Sequence, residues 1–223
     1  MPCVHGVVYA TGSVILAVAG AGCGTDRAPQ VPSEARLTAA VLSEQDMPTD
    51  YLPAENTAVF QGVTPQGRAC RDLLALADVR GLRALPHADA AFYQVDPGGA
   101  MAEHLFQITP ARAHEYIAAA REAGTRCRRI IVRTREYTMK LRQRPARLPS
   151  FGDESYTVRY AGWAGDRYRF HLDMLMARVA DRLLVMAHLA LLPAGEHRDL
   201  MTQLAERAVA KLGAAARPAP SIS

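Results

Sequence analysis

Between residues 90 and 191 the apolar side chains repeatedly fall at every second position, and this alternation constrains the fold more than any other feature. Residues 92–95, the turn Asp96-Pro97-Gly98-Gly99 and residues 101–108 predict a hairpin. Tyr137, Met139 and Leu141 then oppose Thr138, Lys140 and Arg142, and Tyr156, Val158 and Tyr160 oppose Thr157 and Arg159. Further on, Tyr168, Phe170, Leu172, Met174 and Met176 oppose Arg169, His171 and Asp173. Each of these strands has one dry face. Residues 183–191 are almost all apolar, which predicts a central strand, joined to its predecessor by a turn at Ala180-Asp181.

Helical spacing interrupts this pattern in three places. Cys70, Leu73, Leu74 and Ala77 share one helix face, with Gly81 as a stop. Thr109 suits an N-cap and Pro110 a first helical position, so a second helix runs from there to a stop at Gly124. Leu200, Leu204, Ala208 and Leu212 recur at fourfold spacing, predicting a last helix over residues 196–212 that ends at Gly213. Residues 36–50 read as a short helix or extended lead-in. Together these features predict an α+β fold: a single domain with an antiparallel sheet of about six strands whose dry face is covered by helices.

The first 25 residues carry no Asp, Glu, Lys or Arg, and an apolar run within them ends in small residues before Cys23. This is the layout of an export signal, and at about 16 residues the apolar stretch 7–22 is short for a membrane span. Gly20-Ala21-Gly22-Cys23 resembles a bacterial lipobox, although Leu is usual where Gly20 stands. The resemblance implies cleavage before Cys23 and lipid, palmitate included, on that residue, so that acyl chains hold the protein at a membrane. Residues 1–22 are thus read as a lipoprotein signal peptide, 23–36 as a tether, 37–213 as the domain and 214–223 as a disordered tail. Export leaves Cys70 and Cys127 as the cysteine pair of the domain, most economically a disulfide; in the cytoplasm they would be two buried thiols.

Several stretches extend the likeness: residues 39–51 (AAVLSEQDMPTDY), Cys70 opening a helix, Cys127 after the next one, residues 152–160 (GDESYTVRY) and residues 178–186 (RVADRLLVM). With the lipobox they resemble actinobacterial envelope lipoproteins whose body is similar to the extracellular sensor domain of the PknH receptor kinase. Met47 stands where that family more often has Leu, and Ala180 where it often has Gly. The resemblance implies a disulfide-stabilised α+β domain with a ligand cleft, on the outer face of the cytoplasmic membrane. It carries over no catalytic residue.

A net charge of +4 selects no partner class. Residues 126–147 concentrate basic side chains against the single acid Glu136. Such a run fits nucleic-acid phosphates, but export leaves phospholipid head groups, glycolipids or wall polymers as the anionic candidates. Lys140, Arg142 and Arg144 are explained more directly by alternation, as the wet face of a strand whose other face is core. Counting back from Ala180-Asp181 pairs Met176 with Val185 and Asp173 with His188, which with Arg159 makes Lys140, Arg142, Arg159, Asp173 and His188 the candidate ligand-binding set. Met174, Met176 and Met186 are read as core, with a lipid cavity as the other use of such residues. No GxSxG, HExxH, CxxC or phosphate-loop pattern occurs, so no catalytic residue, metal ligand or cofactor is assigned. The function expected is a non-catalytic sensor-like domain binding a ligand or envelope partner. An envelope hydrolase or transferase with a dispersed site, and a purely structural wall-associated protein, remain the competing classes.

Overall fold

The computed structural model describes residues 33–54, 59–133, 138–146, 148–164, 168–193 and 200–216. Cys23, the signal segment, Tyr137, most of the tether and most of the tail lie outside the described residues. The strands are β1 (Tyr51–Pro53), β2 (Val63–Pro65), β3 (His87–Gln94), β4 (Gly99–Gln107), β5 (Arg129–Arg133), β6 (Thr138–Arg144), β7 (Glu154–Ala164), β8 (Tyr168–Val179) and β9 (Arg182–Pro193). They form one antiparallel sheet in the order β1-β3-β4-β9-β8-β7-β6-β5-β2.

The α+β class with one disulfide is as expected, but the sheet has nine strands rather than about six. The additional strands are β1, β2 and β5. Both β1 and β2 are three residues long, end in proline and lie at the two sheet edges, where a residue without an N–H is tolerated. Three residues are too few to display a period. In β5 the sequence Ile130-Ile131-Val132 is enclosed by arginines and reads as part of a charged tract. Only pairing with β6 and β2 makes it a strand.

Helices cover the sheet on both faces, not one. On one side α2 (Arg68–Ala77) and α3 (Pro110–Arg126) bury Leu73, Ala77 and Ile117 against Phe106, Leu172, Met174 and Val185. On the other, α1 (Ser33–Ala40) and α4 (Leu200–Ala216) bury Leu37, Leu204 and Leu212 against Leu105, Leu175, Leu184 and Met186. Residues 101–106, 170–177 and 183–188 are therefore buried irrespective of which way they point. Met174 and Met176 belong to one layer and Met186 to the other, so these methionines are core and share no cavity. A 3-10 turn at Glu44–Asp46 ties the second layer together: the Asp46 carboxylate accepts from Ser43 N–H at 2.8 Å and from Lys211 Nζ at 2.6 Å.

Two expected helix stops are overrun. The helix α3 begins as predicted, with Thr109 Oγ1 accepting from Arg112 N–H, but passes Gly124 to end at Arg126. Gly124 is a packing glycine, because a Cβ there would lie 1.7 Å from Tyr156 Oη. The last helix likewise continues through Gly213 to Ala216.

Cys70 and Cys127 are bonded, with Cα atoms 4.7 Å apart, joining the first turn of α2 to the end of α3. Tyr160 Oη donates to the Cys127 carbonyl at 2.8 Å and ties this junction to β7. The bond closes a loop of 57 residues, and reducing it should lower stability by about 4 kcal/mol in the chain-entropy account. Guanidinium unfolding of oxidised protein and of the Cys70→Ala/Cys127→Ala double variant measures the difference, and equal midpoints would refute the assignment.

The β8–β9 hairpin turns at Ala180-Asp181 with Val179 opposite Arg182, in the register expected from the sequence. Ala180 has φ +54, and its N–H donates to Asp153 Oδ2 at 2.7 Å. A left-handed alanine carries steric strain that glycine lacks, so Ala180→Gly should gain about 0.5–1 kcal/mol after its entropy cost. A rise in the urea midpoint with unchanged slope is the expected reading.

Candidate functional site: a polar row across the sheet

The register brings residues from distant parts of the chain to one side of the sheet, the side of α1 and α4. One row runs Arg144, Arg159, Asp173, His188 and Met101 across β6, β7, β8, β9 and β4. The neighbouring row runs Arg129, Arg142, Ala161, His171, Ala190, Gly99, Gln94 and Tyr51. Along strands the side chains alternate, so residues two apart share a face and these two rows adjoin.

Asp173 and His188 are direct cross-strand partners, as counted from the turn. Arg159 grips the Asp173 carboxylate with two parallel bonds, Nε to Oδ1 at 2.6 Å and Nη2 to Oδ2 at 2.9 Å. The geometry is the planar fork that makes arginine–carboxylate pairs specific. His188 Nε2 lies 2.7 Å from Tyr51 Oη. Burial, with the Arg159 charge adding to it, lowers the His188 pKa to about 4, so the ring is neutral at ordinary pH. Burial likewise lowers His171 to about 4, and its Nε2 is buried with no hydrogen-bond partner.

Of the predicted site residues, the fold thus gathers Arg159, Asp173 and His188 and leaves Lys140 and Arg142 as exposed members of β6 on the same face. The face of β8 holding His171 and Asp173 was expected to be wet; it is buried, with Arg159 on Asp173 and Tyr51 on the neighbouring His188. Sequence reasoning missed Tyr51, Gln94 and Glu103 as members of this face, and placed His171 on it without naming it a site residue. Tyr51 was visible only as the aromatic after the Asp-Met-Pro segment. Gly99, read as a turn residue, opens β4 instead: a Cβ there would sit 3.2 Å from both Tyr51 Oη and Gln94 Oε1, so its absence lets those groups reach the row.

Glu103 is the outlier of the face. It lies under α1 and α4, where Oε2 accepts from Leu42 N–H at 2.6 Å and Oε1 is buried without a partner. Burial raises its pKa to about 8, against the lowering effects of the Leu42 N–H and Lys211.

The row can hold polar or charged groups, and the hydroxyl that meets His188 in it is the phenol of Tyr51. Among the described residues no histidine is hydrogen-bonded to a Ser, Thr or Cys side chain. Elsewhere the buried His104 lies 2.7 Å from the exposed Asp89, whose carboxylate Arg83 also meets. No group of three metal-ligating side chains occurs among the described residues. A separate cavity of about 420 Å³ between α2 and β2 is floored by Phe60, Val63 and Leu74 and rimmed by Arg71 and Asp78.

No family model and no curated protein matches the chain. Solved structures do. The extracellular domain of PknH from Mycobacterium tuberculosis aligns at a TM-score of 0.58 and 12% identity, over 83% of this chain and 98% of that one. An uncharacterised protein of Mycobacterium smegmatis aligns at 0.36 and 12% identity, over 77% and 92% of the two chains. The lipid transfer and protein localization domain of human StarD13 aligns at 0.26 and 9% identity, over 70% and 100%. The first score is that of a shared fold: the chain has a fold like that of the PknH extracellular domain.

The buried ionisable groups give this face a pH signature. Folded Glu103 keeps its proton up to about pH 8 whereas the unfolded carboxyl releases it near 4.5, so stability falls as pH rises through that window. His188 and His171 act oppositely, losing their contribution as pH falls from 6.5 towards about 4. Glu103→Gln retains an acceptor for Leu42 N–H and should become progressively more stable than wild type between about pH 5 and pH 8. Urea unfolding at both ends of that range tests it; a difference independent of pH would refute the buried, protonated carboxyl.

Proposed function

We propose that the protein is an exported, lipid-anchored, non-catalytic sensor-like domain that binds an envelope ligand or partner. In this reading residues 1–22 are the cleaved signal, Cys23 carries the lipid, residues 23–36 tether the domain 37–213, and residues 214–223 form a tail. The domain then works at the outer face of the cytoplasmic membrane. The observation that supports this most is the shared fold with an extracellular domain across 83% of the chain. The Cys70–Cys127 bond agrees with it, since such bonds persist in oxidising compartments.

The ligand surface in this reading is the polar face, with Arg159, Asp173 and His188 at its buried end and Lys140 and Arg142 at its exposed end. The buried end is neutral or internally paired, which suits a rigid floor. The exposed end is cationic and suits an anionic lipid, glycolipid or wall polymer. Detergent phase partitioning tests the anchor. Wild type expressed in a host with lipoprotein processing should enter the detergent phase and Cys23→Ala the aqueous phase. Identical partitioning of the two would end the lipoprotein reading. Mass spectrometry of material co-purifying with the folded domain tests ligand binding.

A further inference from the structure

The α1–α4 layer covers only part of its side of the sheet. Beyond it, β5 and β6 present Arg129, Arg133, Lys140, Arg142 and Arg144, all exposed and all on that same side, because Arg129 stands opposite Arg142 and residues two apart share a face. None of these five is joined to a carboxylate among the described residues. The described part of this face on β5 to β8 has one acid, Asp173, and Arg159 holds it. Ala161 lies opposite Arg142, which puts Trp163, two residues further along β7, on the same side, and the residue is 57% exposed. Cations that share a face with an exposed tryptophan match a bilayer interface, where phosphates meet the cations and the ring occupies the head-group zone.

We infer that the β5–β6–β7 face is a docking surface for an anionic lipid bilayer, with Lys140 and Arg142 at its centre and Trp163 as its interfacial anchor. This deepens the ligand-binding reading above by naming the partner of its exposed end. Charge complementarity is its first support. The second is the position of the chain leading in: α1, which starts at Ser33, packs on this same side of the sheet through Leu37 and Ala40. Residues 23–32 span at most about 35 Å, so an anchor at Cys23 would hold this face within reach of the head groups. A bilayer surface needs no enclosed pocket, and adjacent cations add their attractions within a Debye length of the surface.

The protein carries a single tryptophan, so its fluorescence reports Trp163 directly. The chain to test is full length with Cys23→Ala, which makes the outcome independent of whether Cys23 carries lipid. Vesicles of phosphatidylcholine with about one third phosphatidylglycerol should shift the emission to the blue at about tenfold lower lipid concentration than pure phosphatidylcholine, and raised salt should abolish the difference. Lys140→Glu/Arg142→Glu should lose that preference. Arg71→Glu/Arg112→Glu, on the helices of the opposite face, removes the same charge and should keep it. Should the glutamate pair fail to fold by circular dichroism, Lys140→Gln/Arg142→Gln replaces it. The inference is overturned by an absent shift on anionic vesicles, by a shift that survives the Lys140/Arg142 change, or by equal loss in the opposite-face control. An equal blue shift with duplex DNA or soluble polyphosphate would overturn it as well, by showing a general polyanion site.

Discussion

The register of the β8–β9 hairpin underlies the rest of the structure. Its strands are twelve residues long, lie in the interior of the sheet and are tied at one end by the two-residue turn at Ala180-Asp181. Because strand side chains alternate, a slip by one position would exchange every residue of one strand between the two helix layers. His188 would then enter the apolar layer under α2 and α3, and Leu189 would take its place beside Asp173. The burial of a carboxylate and an imidazole on one face thus penalises the wrong register, while the apolar residues favour the right one. With the hairpin set, β4 pairs to β9 and β7 to β8, and the polar row follows.

Burial on both faces is the second constraint. A sheet covered on one side can keep its polar residues in water, but here α1 and α4 pack on the face that carries Glu103, Asp173 and His188, and all three are buried. The groups survive by pairing: Arg159 neutralises Asp173, Tyr51 meets His188, and Glu103 accepts from Leu42 N–H while burial favours its neutral form. Removing one member of such a pair would strand the other in a low-dielectric interior. Where the helix layer stops, the same face becomes cationic and open, so one side of one sheet changes from a sealed polar floor to a charged surface over a few residues.

Much of the fold was legible in the sequence because its strands are long and strictly periodic. The alternation marked β3, β4, β6, β7 and β8, the continuous apolar run marked β9, and the turn residues located both hairpins. The Thr109-Pro110 start of α3 and the spacing of Cys70, Leu73 and Leu74 in α2 were equally plain. The strands β1 and β2 were not, since three residues ending in proline show no period. Glycines misled twice: Gly124 and Gly213 looked like helix stops, and the reason for the first is the close approach of Tyr156 from β7. Of the site, counting from one turn gave the Asp173–His188 pairing, but Tyr51 and Gly99 belong to it through contacts that no local pattern encodes.

The sequence by itself determined the α+β class and the hairpin register, because periodicity and turn chemistry are local properties; it paired Cys70 with Cys127 only on the condition of export, and the structure joins them. Only the tertiary structure decided that the sheet has nine strands, that helices cover both of its faces and that the polar side of β8 is buried. These depend on which surfaces meet. An alternating strand states that its two faces differ, and the elements packed against each face decide which one reaches water.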